Sequence, residues 1–112
     1  MIRLSFQSEG ARITGFVCEG HSGLEESGKD VLCAAVTGAI RLLEATVNDV
    51  LGTGAPCKVN EKIPRIEFKL PPSSGEEQEN TAQAILTGLM LLAVQLHDEF
   101  PDNIEVTAPV ED

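Results

Sequence analysis

The chain has 112 residues, enough for one domain with a single core and too few for two. An apolar fraction of 42% excludes a disordered chain; with four Phe, no Trp and no Tyr, the core must be built mainly from Leu, Val, Ile and Ala. Eighteen acidic against eight basic residues give a formal charge of −10. That speaks against direct nucleic-acid binding, which needs Lys and Arg to displace phosphate counterions, and suits either plain solubility or a basic partner.

In chain order, Ile2, Leu4 and Phe6 alternate with Arg3, Ser5 and Gln7, the pattern of a half-buried strand. "SEG" at 8–10 reads as a turn into a second strand, "RITGFVCE", in which Gly15 marks a bulge or a close backbone approach. The two form a hairpin that ends at Gly20. Asp30 reads as the N-cap of a helix, "VLCAAVTGAIRLLEATVNDVL", stopped by Gly52 and Gly54. Val36, Ile40, Leu43, Val47 and Val50 form its buried stripe.

"PCKVN" and "RIEFKL" make a second hairpin turning at Glu61 and Lys62, with Ile66, Phe68 and Leu70 on one face. After the polar break "PPSSGEEQEN", Ser73 and Ser74 each precede a Glu by three residues, a capping-box pattern that opens a second helix. Ala82, Ile85, Leu89, Leu92, Leu96 and Phe100 form its stripe, and Pro101 stops it. The order is ββαββα, with "NIEVTA" as a last short strand. The expected fold is α+β, a two-layer sandwich with a mostly antiparallel sheet and both helices on one face.

No apolar run reaches the length of a membrane span, and the alternating N-terminus has no signal-peptide pattern. Three Cys, an odd number, fit reduced thiols in the cytoplasm better than a disulfide framework.

The stretch "GHSGLEESGKDVLCAAVT", residues 20–37, carries the chemistry. With Asp30 as N-cap, Cys33 falls in the first turn, beside unpaired N–H groups and the positive end of the helix dipole, which favours thiolate. A loop over residues 20–29, turned and kept mobile by Gly20, Gly23 and Gly28, brings His21 to the sulfur. Backbone N–H groups of Cys33 or its helical neighbours are candidate oxyanion donors. Asp30 caps the helix or orients His21, and Ser22 offers a loop hydrogen bond. Two other readings stand beside the catalytic pair. Cys18, His21 and Cys33 have a short ligand spacing for zinc, although no fourth ligand follows; a buried structural Cys and a solvated His are the plain alternative. Cys57, without an adjacent base, reads as structural, and His97 as a cation suited to a helix C-terminus.

The same residues resemble the signature of the ribosomal-processing cysteine protease family, often called Prp: Gly20-His21, a glycine-bearing loop, Gly28, Asp30 and Cys33-Ala34, then an apolar helix. The resemblance extends to the element order. It implies a cysteine endopeptidase with Cys33 as nucleophile and His21 as general base and then acid, needing no metal or cofactor. It implies a substrate too: the short N-terminal extension, ending in paired aromatics, of large-subunit ribosomal protein number twenty-seven. A homodimer is also implied, with no nucleic acid or membrane as partner. Thr37 stands where the family often has Ser, a change that keeps the hydroxyl.

Overall fold

The computed structural model describes residues 1–20, 26–60, 62–72 and 75–109, the side chains of 26–30 excepted. Five strands form one sheet in the order β3-β4-β2-β1-β5. β1 (Ile2–Glu9) and β2 (Arg12–Glu19) are the expected antiparallel hairpin, tightened to a turn at Gly10 and Ala11. β2 pairs on its other side with β4 (Arg65–Lys69), which carries β3 (Cys57–Asn60) at the edge. The final strand exists: β5 (Ile104–Thr107) lies beside β1, and this pair alone is parallel.

Gly15 answers both possibilities. The β1–β2 register slips between Gln7 and Ser8, so that Thr14 has no opposite residue. A Cβ at Gly15 would also fall on the Phe68 carbonyl oxygen of β4.

Because side chains alternate, Leu4, Cys18 and Ile66 lie across three strands on one face, and Phe6, Phe16 and Phe68 form the next row. Phe16 and Phe68 stack at 5.3 Å between ring centroids, and both are fully buried. One core joins these side chains to Leu32, Val36, Ile40 and Leu43 of α1 (Glu26–Glu44) and to Ala82, Leu86, Leu89 and Ala93 of α2 (Glu76–Glu99). Both helices therefore cover the same sheet face. The other face carries Glu19, Arg65 and Glu67, with Arg65 bonded to both carboxylates.

The helices depart from the sequence reading in four ways. First, α1 begins at Glu26, so Asp30 is inside the helix and does not cap it. Second, α1 continues as a π-helical segment, Ala45–Val50, whose wider turn rotates the stripe by a residue. Val50 is 78% exposed as a result, and Leu51 packs on the core in its place. Asn48 in this segment grips Ala55 at both its N–H and its carbonyl.

Third, the N-cap of α2 is Gly75; Ser73 and Ser74, on which the capping box was expected, lie outside the described residues. Glu76, Glu77 and Glu79 still place carboxylates in the first turn, where the dipole favours them. Fourth, the α2 stripe runs through Leu86 and Ala93, with Ile85, Leu96 and Phe100 at its flank, while Leu92 is no part of the core. His97, in the last turn, donates its Nδ1–H to the Ile104 carbonyl at 2.6 Å and so ties α2 to β5. Residues 31–50 are long and apolar enough to span a bilayer, contrary to the expectation, but Val36, Ile40, Leu43 and Val47 of that stretch are committed to the core.

Candidate active site

β2 delivers its last residues to the end of the sheet under α1. Gly20 follows with φ +93°, and its N–H donates to the Pro64 carbonyl at 2.9 Å, which pins this end to the β3–β4 connection. A Cβ here would fall on the Met1 carbonyl oxygen, so the close approach requires glycine. On the helix, Leu32 and Val36 are buried in the core, which leaves Cys33 between them half-exposed at the sheet's margin.

A cavity of about 400 Å³ opens at this junction. α1 contributes Cys33, Val36 and Thr37; the sheet contributes Ile2, Cys18, Val59 and Ile66; the remainder is Gly20, Asn60, Pro64 and Arg65. The lining is largely aliphatic, and Cys18, Cys33, Thr37, Asn60 and Arg65 are its residues with polar side chains. Asn60 is itself held, its Oδ1 accepting from the N–H groups of Lys62 and Ile63.

Of the residues singled out in the sequence, Cys33 and Gly20 meet in this cavity. His21, Ser22 and Gly23 lie outside the described residues. Gly28 belongs to α1, not to a loop, so the helix has taken over the second half of the expected 20–29 segment. Cys33 is the eighth residue of that helix, not one of its first three. Its N–H points to the carbonyl four residues back and is not available as an oxyanion donor, and the helix dipole's N-terminal end is two turns away. Both expectations fall with the misplaced N-cap.

Cys18, by its sequence either structural or a metal leg, lies in the same cavity as Cys33. Its thiol is pushed up to about 11, first by burial, then by the charge Cys33 can carry, then by Glu19. Cys57 reaches about 11 as well, through burial and the Glu44 carboxylate beside it. Both are neutral thiols at physiological pH. Among the described residues no three His, Cys, Asp or Glu side chains group to hold a metal.

The Cys18 shift has a consequence for stability. Below pH 9 the thiol is protonated whether the chain is folded or not; between about 9 and 11 the unfolded chain ionises and the folded one does not. Stability is therefore full below pH 9 and falls as pH rises through 11. Cys18 accounts for on the order of 2 kcal/mol of that fall. Urea unfolding at about pH 8.5 and about pH 11.5, roughly half a unit either side of the window, should show the loss, and Cys18→Ala should show less of it. An equal loss in the variant would remove Cys18 as its source.

The remaining cavity residues had no local sequence signal. Val59, Pro64 and Arg65 sit in an ordinary hairpin, and only the topology carries them to Cys33.

A protein-family model for the cysteine protease Prp matches residues 1–105. The chain belongs to the Prp family. It is a cysteine protease of the ribosomal-processing class. Prp of Bacillus subtilis (strain 168), a ribosomal processing cysteine protease, is 26% identical over 98 residues, 88% of each chain. The fold matches Prp of S. aureus in complex with a covalently linked product peptide, with a TM-score of 0.82 and 16% identity over 96% of this chain and 99% of that one. SMU.848 from Streptococcus mutans matches with a TM-score of 0.83 and 19% identity, over 97% and 94% of the two chains. The ββαββα order with its extra strand is thus the Prp fold.

Proposed function

We propose that this Prp-family chain is an endopeptidase acting through Cys33 and His21, and that it removes the N-terminal extension of large-subunit ribosomal protein twenty-seven. One observation carries the assignment. Cys33 lines the cavity; of the other two thiols, Cys57 lies outside it, and Cys18, which shares it, is held protonated first by its burial. His21 follows directly on Gly20, which lines the same cavity.

The Cys33 thiolate attacks the scissile carbonyl carbon and a tetrahedral oxyanion forms. As the C–N bond breaks, His21 gives the leaving amine its proton. The thioester is then hydrolysed by a water that His21 deprotonates, and the thiol is released. To Asp30, whose backbone lies inside α1 and not at its N-cap, we assign the second of its two expected roles, the orientation of His21.

The aliphatic lining suits an apolar side chain next to the cut, such as the aromatics the family's extensions carry, and the −10 charge suits a basic ribosomal protein. The peptide bound covalently in the S. aureus relative supports a peptide site on this fold. The working form we assign is a cytoplasmic homodimer with no metal or cofactor.

The test is selective labelling. With a limiting alkylating agent at neutral pH, Cys33 should be modified well before Cys18 and Cys57, and cleavage of an extension peptide should fall in proportion. His21→Ala should slow the labelling of Cys33 and leave the other two thiols unchanged. Peptide-level mass spectrometry over a time course reads all three. Equal labelling of the thiols, indifferent to His21, removes the support for the pair.

A further inference from the structure

The protease chemistry uses one of the two thiols in the cavity. We propose that Cys18 is the resolving thiol for Cys33, so that oxidation of Cys33 by hydrogen peroxide is captured as a reversible Cys18–Cys33 disulfide across the cavity. This rests on Cys33 being the reactive thiol.

The placement supports it first. Cys18 on β2 and Cys33 on α1 come from opposite layers, line the same cavity and pack against the same core. Both are free and half-buried. Cys57, the third thiol, is on edge strand β3 beside Glu44 and does not line the cavity, so it does not compete. Cys18 lies in the Leu4–Cys18–Ile66 row, and among the described residues no hydrogen bond holds its thiol.

The chemistry then divides the two sulfurs between two roles. The Cys33 thiolate attacks one peroxide oxygen; the O–O bond breaks, hydroxide leaves, and Cys33 becomes a sulfenic acid. The Cys18 sulfur attacks the sulfenic sulfur; the S–S bond forms, the S–O bond breaks, and the oxygen leaves as water with the proton from Cys18. Two thiols and one peroxide give one disulfide and two waters. A thiol kept protonated does not compete with Cys33 for peroxide; in the second step it gives up that proton as the S–S bond forms, and the proton leaves with the oxygen as water. Without a resolving thiol, a second peroxide takes the sulfenic acid to sulfinic acid, which thiol reductants do not reverse. The bond needs the two Cα atoms within about 7 Å, so a mapped Cys18–Cys33 link reports that approach.

The experiment treats the full chain with hydrogen peroxide and maps it without reduction by mass spectrometry, while cleavage of an extension peptide is followed before treatment, after it and after dithiothreitol. The wild type should lose two hydrogens, yield a linked pair of peptides containing Cys18 and Cys33, and regain most of its own starting rate on reduction. Cys18→Ala should instead gain oxygens on Cys33 and regain less than about a tenth of its own starting rate. Cys18→Val serves if the alanine variant folds poorly, and the wild-type map needs no variant. Sulfinic Cys33 with no cross-link, a link through Cys57, or equal recovery in the Cys18 variants overturns the proposal. Undiminished cleavage by Cys33→Ala would instead overturn the protease assignment, while the cross-link map still decides the disulfide.

Discussion

Cys33→Ala should lower cleavage of an extension peptide by at least about a thousandfold while leaving the fold in place. The nucleophile has no understudy. Cys18 shares the cavity but is a neutral thiol until pH approaches 11, and Cys57 lies outside it with Glu44 at its side. The substitution removes one sulfur from a half-exposed position, so stability should change by less than about 1 kcal/mol. His21→Ala should be nearly as severe in cleavage, because a nucleophile and its base work as one unit and the losses do not add. The double variant should then be no slower than the worse single one. Mass spectrometry of digested peptide, with urea unfolding beside it, separates lost chemistry from lost fold. Normal turnover by Cys33→Ala would end the assignment.

The second large effect is expected at Gly20. Its φ of +93° lies in the region where an L side chain is strained, and a Cβ would fall on the backbone oxygen of Met1, which has no flexible end to give way. Gly20→Ala must therefore displace either β1 or the β2 terminus, at a cost of about 3 kcal/mol or more. The displaced end is also the point from which the chain runs on to His21, so activity per folded molecule should fall as well. Gly10→Ala is the control. It too has a positive φ, +59°, but the space around it is open, so only the backbone strain of about 1 kcal/mol remains and cleavage should persist. Urea midpoints and single-turnover cleavage of the two variants measure the contrast. Indistinguishable variants would mean that the approach of β1 to Gly20 matters little.

What the sequence revealed follows from how local the governing physics is. The β1–β2 hairpin was legible because alternation is a two-residue signal, and Gly15 announced a close approach that a side chain would have blocked. The start of α1 was not. Ser27, Gly28 and Asp30 all favour non-helical backbone, and the helix nonetheless begins at Glu26. The π-helical segment hid for a related reason: Val50 fits a 3.6-residue stripe, and nothing in its own identity reports that the turn before it has widened.

In α2 both Leu92 and Ala93 are apolar, so composition alone could not say which of them faces inward. The candidate site divides the same way. Cys33 and Gly20 stood out by type and spacing, whereas Val59, Pro64 and Arg65 reach the cavity through a sheet order that the sequence does not spell out. Cys18 gave no local sign that it shares the cavity of Cys33, because the two residues come from different layers.

The parallel pair at the sheet's edge bears on how the molecule is born. Ile2 lines the cavity, and its N–H is held by the carbonyl of Asn103, just ahead of β5. A ribosome must therefore release every residue through β5 before β1 gains its outer neighbour. Contacts of such long sequence separation are the last to be rewarded and the slowest to form. A nascent chain that has already emitted Cys33 still lacks a finished wall for its cavity, so the peptidase is assembled late, after synthesis has passed the strand that completes it.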